Sequence, residues 1–162
     1  MSQQRFPKPP GQSALRKGRV SIPGHAYVIT TVTKDRRPLF TDFILARMVI
    51  SNLRGLHKTG AVDSLAFVLM PDHLHWLFTL GETLDLAEVV RRLKGSSARA
   101  IQRLGVSLVW QPGYYDHGIR GDEDLRAAAR YLVANPLRAG LVENLGDYPL
   151  WDAVWLDSSL DS

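Results

Sequence analysis

Residues 61–80 read AVDSLAFVLMPDHLHWLFTL, and this stretch decides the fold. Ala61 to Met70 and His73 to Leu80 are rich in aliphatic, aromatic and β-branched residues, and Pro71-Asp72 between them is a turn signal. Two strands joined so tightly are antiparallel neighbours. On a strand, residues i and i+2 share a face, so His73 and His75 aim two imidazoles to one side while Leu74 and Trp76 point to the other.

Working outward, AYVITTVT from Ala26 to Thr33 reads as an earlier strand. Asp42 can cap a helix running to about Lys58, and Gly60 stops it. A second helix is expected over about residues 84–104, with Leu86, Val90, Leu93, Ile101 and Leu104 at core-facing spacing. Arg92, Arg99 and Arg103 fall on its opposite face, with Arg91 and Lys94 beside them. The segment WQPGYYDHGIR, Trp110 to Arg120, holds a fourth strand. Asp122 caps a third helix with the apolar stripe Leu125, Ala128, Ala129, Leu132 and Val133. Asn135-Pro136 ends it, because a residue before proline resists the α conformation. The order β-α-β-β-α-β-α predicts an α+β, ferredoxin-like domain: one antiparallel sheet with helices packed on one face.

Composition sets bounds on function. The chain has 162 residues, 45% of them hydrophobic, which suits one domain with a real core. No window approaches the roughly 18 consecutive apolar residues of a membrane span. There are no cysteines, which removes disulfides, thiolate metal sites and cysteine nucleophiles. The front of the chain carries Arg5, Lys8, Arg16, Lys17, Arg19 and Lys34 with no acid and no long apolar stretch, unlike a secretory signal. A cytoplasmic protein is expected. The end holds Glu143, Asp147, Asp152, Asp157 and Asp161 without a basic residue after Arg138. The sequence therefore divides into a basic, proline-rich arm (1–24), a central domain (25–151) and an acidic tail (152–162). A net charge of +4 concentrated at the front suits a polyphosphate partner, or simply a soluble surface.

Two imidazoles at this spacing can hold one divalent cation and leave coordination positions for a third side chain, water or phosphate. The alternative is a pair of surface histidines on a solvated strand face. Tyr131 and Asn135, four apart, lie on one side of the third helix. Tyr131 sits beside the apolar stripe, as a packing residue or with its hydroxyl in a groove. The amide oxygen of Asn135 is a suitable hard ligand. A cation beside a phosphodiester and a tyrosine oxygen attacking phosphorus would together give a covalent phosphotyrosine.

The string VLMPDHLHWLF resembles the histidine–hydrophobic–histidine motif of the tyrosine transposases related to IS200 and IS605. WQPGYYDHGIR, RYLVANPLRAGLVENLGDYPLW and the opening GRVSIPGHAYVITTVTKDRRPLF look more specifically like the REP-associated members, and the resemblance spans about Arg19 to Trp151. It implies a ferredoxin-like nuclease domain, with His73 and His75 as ligands of Mg2+ or Mn2+ and Asn135 completing the site. It implies Tyr131 as the nucleophile that forms a 5′-phosphotyrosine link to single-stranded, hairpin-forming DNA. His117 matches a recurrent histidine with a secondary or packing role. Two departures stand out: Asp72 where the family often has Asn, and Tyr148-Pro149-Leu150-Trp151 where a tryptophan and serines often follow the YP.

The expected function is thus a metal-dependent single-strand DNA endonuclease and strand transferase, acting as a monomer or homodimer. DNA contacts are expected from Arg5, Lys8, Arg16, Lys17 and Arg19 of the arm and from Arg92, Arg99 and Arg103. The alternative from another class is a hairpin-binding protein that does not cut. A nucleotide-binding ferredoxin-like domain is disfavoured because no glycine-rich phosphate loop is present.

Overall fold

The computed structural model describes residues 21–120 and 124–154. Its centre is the hairpin of β2 (Val62–Met70) and β3 (His73–Leu80), turned by Pro71 and Asp72. With β1 (Ala26–Val32), β4 (Tyr115–Ile119) and β5 (Trp151–Ala153) they form one sheet, ordered β4-β1-β3-β2-β5 and antiparallel at every pairing. The four strands expected from sequence are there, and β5 is an addition. Three residues with one aromatic carry too little pattern to be read as a strand. β5 exists because β2 offers an edge, pairing Phe67 with Asp152 and Val68 with Trp151.

Helix α1 (Phe43–Lys58) starts where the sequence indicated: Asp42 Oδ1 accepts from the Ile44 and Leu45 amides at 2.9 and 3.4 Å. It ends before Gly60, whose φ of +81° is the left-handed conformation that closes helices. Leu45, Ala46, Val49, Leu53 and Leu56 form its buried stripe. Helix α2 (Leu86–Gln102) is capped by Asp85, which accepts from the Glu88 amide at 2.8 Å. Leu86, Val90, Leu93 and Ile101 are buried as expected. Leu104 is not: the helix has ended at Gln102, and Leu104 is 52% exposed.

Both helices pack on one sheet face, against Ile29, Phe67, Leu69, Leu74, Trp76 and Phe78. Trp76 is fully buried there and its indole N–H donates to Ser64 Oγ at 2.9 Å, so no buried donor is left over on this ring. Emptying that position in a Trp76→Ala variant would cost about 3–5 kcal/mol.

Helix α3 (Leu125–Val133) departs from the expected one-sided arrangement. Its Ala129, Leu132 and Val133 pack on the opposite face, against Val28, Ala66, Val68, Met70 and Leu77. The physical reason lies in the strands themselves. β2 runs LAFVLM without a polar break, so its two faces are both apolar and both need cover. Asp124, not Asp122, caps α3 by accepting from the Arg126 amide at 2.9 Å, and Asp122 lies outside the described residues. After α3 the chain starts one further helical turn, α4 (Asn135–Arg138), with Pro136 in its first turn.

A candidate active site under the third helix

His73 and His75 project from β3 onto the face that α3 covers, since Leu77 two residues on is in the α3 cluster. They are 8% and 3% exposed, so this is not the solvated strand face that the sequence left open. The rings meet edge to face, centroids 4.7 Å apart and planes at 81°.

Each imidazole is anchored at Nδ1. The Thr30 hydroxyl, directly across the β1–β3 ladder, lies 2.7 Å from His75 Nδ1. Asp72 Oδ1 lies 2.6 Å from His73 Nδ1, and Asp72 Oδ2 accepts from Arg36 Nη1 at 3.3 Å. The His73 hydrogen bond, reinforced by Arg36 and opposed by burial, holds the Asp72 carboxyl below its ordinary range. With Nδ1 taken in both rings, Nε2 is the nitrogen a cation would use, as in carboxylate–histidine–metal arrangements. Thr30 and Asp72 were not picked out as site residues from sequence. Thr30 becomes visible only with strand register, whereas Asp72 stood out in the sequence only as a departure from the family's usual Asn, and the structure gives that carboxylate a place beside His73.

Tyr131 lies on α3 and is 36% exposed. Arg138, one helical segment on, holds it twice. Its Nη2 donates to the Tyr131 carbonyl at 2.6 Å, and its guanidinium carbon sits 4.0 Å from the ring centroid. Asn135 opens α4, which runs against β2, and its amide nitrogen donates to the Leu132 carbonyl at 2.7 Å. That bond fixes the amide and leaves Oδ1 as its accepting end. Tyr148 is a poor substitute nucleophile: its hydroxyl donates to the Leu69 carbonyl at 2.5 Å, and burial, with the charge of Asp72, pushes it up to about 12.

Among the described residues no three His, Asp or Glu side chains form a metal-holding group. The donors to weigh are therefore two imidazoles and one amide oxygen. Their chemistry fits a hard divalent cation that keeps open positions for water or phosphate.

Other expected residues are separated from this site. His117 pairs with Val28, which places it on the imidazole face but two strands and one row from His75, on the order of 12 Å by sheet spacing. Arg92 and Arg99 on α2, and Arg103 at its C-terminal cap, are exposed on the far side of the sheet. Arg92 there pairs with Glu88 at 3.0 Å, and hydrogen bonds from Arg91 and Arg92 bring the Glu88 carboxyl down to about 2. Arg5, Lys8, Arg16, Lys17 and Arg19 lie outside the described residues. The basic residues of α1 were not singled out from sequence: Arg47, Arg54 and Lys58 line a cleft of about 700 Å³ with exposed Phe43 and Ile44. No helix among the described residues is long and apolar enough to cross a membrane.

A REP-associated tyrosine transposase of Escherichia coli (strain K12) is 28% identical over 134 residues, covering 81% of this chain and 78% of its own. The solved structure of a REP-associated tyrosine transposase bound to a REP hairpin superposes with a TM-score of 0.70 at 25% identity, over 93% of this chain and 82% of that one. The family model of IS200-like transposases matches residues 21–135, the span that runs from the first strand through the histidine pair and Tyr131 to Asn135. The chain belongs to the family of IS200-like transposases.

Proposed function

We propose that this protein is a metal-dependent single-strand DNA endonuclease and strand transferase that acts at hairpin-forming repeats. What supports the reading above all is the pair of Nδ1-anchored imidazoles on the sheet face covered by the helix that carries Tyr131. The hairpin in the related solved structure supports the class of DNA.

In this mechanism the Tyr131 oxygen attacks the scissile phosphorus. The new O–P bond forms as the bond from phosphorus to the 3′ oxygen breaks, leaving the DNA joined to Tyr131 through a 5′-phosphotyrosine. The freed 3′ oxygen takes up a proton. Attack by a second 3′ hydroxyl on the phosphotyrosine reverses the step and transfers the strand. Mg2+ or Mn2+ held by His73, His75 and Asn135 would neutralise charge on the scissile phosphate. Thr30 and Asp72 keep the imidazoles oriented. Arg138 holds the Tyr131 ring in place through its stack and its hydrogen bond to the Tyr131 carbonyl.

The test is adduct capture. Purified protein, a labelled single-stranded REP-type hairpin and Mn2+ are mixed, denatured in detergent and resolved by gel. A DNA-linked band that needs Mn2+ and vanishes in Tyr131→Phe is expected. Tight hairpin binding with no adduct under any divalent cation would instead leave a non-cutting DNA-binding protein.

A further inference from the structure

We propose that Asp72 and Arg36 are positioning residues that hold His73 in the Nδ1–H tautomer and so turn its Nε2 lone pair toward the cation site. The proposal rests on the reading of His73 as a ligand, and it concerns groups outside the ligand set.

The turn that carries Asp72 is fastened from two directions. Its carbonyl accepts from the Thr33 amide at 2.9 Å, and the Phe40 amide donates to the Pro71 carbonyl at 3.0 Å. The β2–β3 turn is thereby tied to the connection between β1 and α1. That connection is bent: Asp35 and Arg36 both have positive φ, 57° and 51°. Left-handed backbone costs a non-glycine residue roughly 1 kcal/mol or more, and such strain collects at functional sites. Here the bend delivers the Arg36 guanidinium to Asp72.

The carboxylate then divides its oxygens, Oδ2 to Arg36 Nη1 at 3.3 Å and Oδ1 to His73 Nδ1 at 2.6 Å. An ionised carboxylate only accepts, so the shared proton belongs to Nδ1. In the neutral ring Nε2 is then the nitrogen with the lone pair. Removing Arg36 would let the carboxylate rotate, and removing Asp72 would let the ring choose either tautomer. His75 differs, since its Thr30 partner is a hydroxyl that can donate or accept.

The experiment uses the 15N-labelled full chain, without metal, at neutral pH. Two-bond 1H–15N spectra report the His73 tautomer, and Mn2+ titration followed by electron paramagnetic resonance, without DNA, reports affinity. Wild type should show Nδ1–H at His73. Asp72→Asn should keep that tautomer, because an amide oxygen also accepts, with Mn2+ affinity about threefold to tenfold lower. Folded Asp72→Ala should lose the tautomer preference and about 10–100-fold in affinity, the usual effect of deleting an outer partner of a ligand. Arg36→Gln should fall between wild type and Asp72→Ala. A role confined to fastening the turn would lower the melting temperature and leave tautomer and affinity unmoved. Wild-type His73 protonated at Nε2, or unchanged Mn2+ affinity in both Asp72→Asn and Arg36→Gln, overturns the proposal, and neither result needs the alanine variant to fold. Nδ1–H at His73 in a wild type that binds no Mn2+ would uphold the positioning and sink the metal reading instead.

Discussion

Replacing Arg138 by methionine separates catalysis from folding in this site. The guanidinium makes two contacts with Tyr131: a hydrogen bond to its carbonyl at 2.6 Å and a stack at 4.0 Å from the ring centroid. A cation over an exposed ring contributes about 0.5–1 kcal/mol. A hydrogen bond from a charged donor adds about 1.5 kcal/mol at the low end of its range, less where water competes. Against this, Arg138 Nε is buried without an acceptor, a penalty that Met removes while keeping the aliphatic stem. The net effect on stability should therefore be under about 1 kcal/mol, a shift of roughly 2–4 °C or less in melting temperature. The hold on the nucleophile, about 1–2 kcal/mol, disappears in full. At about 1.36 kcal/mol per decade, adduct formation should slow about 5–30-fold. The assay is single-turnover adduct formation at saturating hairpin DNA with Mn2+, so that weaker DNA binding does not enter. Arg138→Lys keeps the charge but not the planar fork and should lie between the two. An Arg138→Met rate within about twofold of wild type, from protein of unchanged melting temperature, would refute the role assigned to the stack.

Tyr131→Phe should abolish the covalent adduct with hairpin affinity nearly intact, and an adduct that persists would move the nucleophile elsewhere, with Tyr114 and Tyr115 next in line. His73→Ala with His75→Ala, or EDTA added to wild type, should eliminate cleavage, whereas undiminished cleavage in EDTA would remove the metal from the mechanism. Thr30→Val keeps the shape of the side chain but deletes the oxygen facing His75 Nδ1, so it should cost about 1–3 kcal/mol in thermal denaturation; an equally stable variant would show that the 2.7 Å hydrogen bond contributes nothing. Deleting residues 1–18 should lower hairpin affinity and flatten its salt dependence by about one unit of slope for each phosphate that the arm had neutralised. Unchanged affinity and slope would exclude the arm as a DNA-binding element.

By itself the sequence determined the hairpin at residues 61–80, the cap on α1 and the stop after it, because each rests on neighbours a few residues apart. It determined also that His73 and His75 share a face, since strand alternation is local. Helical spacing put Leu86, Val90, Leu93 and Ile101 of α2 in the core, and failed at Leu104 only because the helix ends sooner. Three things waited for tertiary structure. Which face α3 would cover depended on both faces of β2 being apolar, a signal present in LAFVLM but readable only once the sheet was assembled. The partnership of Thr30 with His75 spans 45 residues and exists only in one strand register. Arg36 reaches Asp72 through a bent connection whose positive φ at Arg36 itself no local preference of arginine would suggest. Local rules choose the elements and their faces. Contacts between distant segments decide which nitrogen of an imidazole is held, because a hydrogen bond needs its partner within about 3 Å and only the folded chain sets that distance.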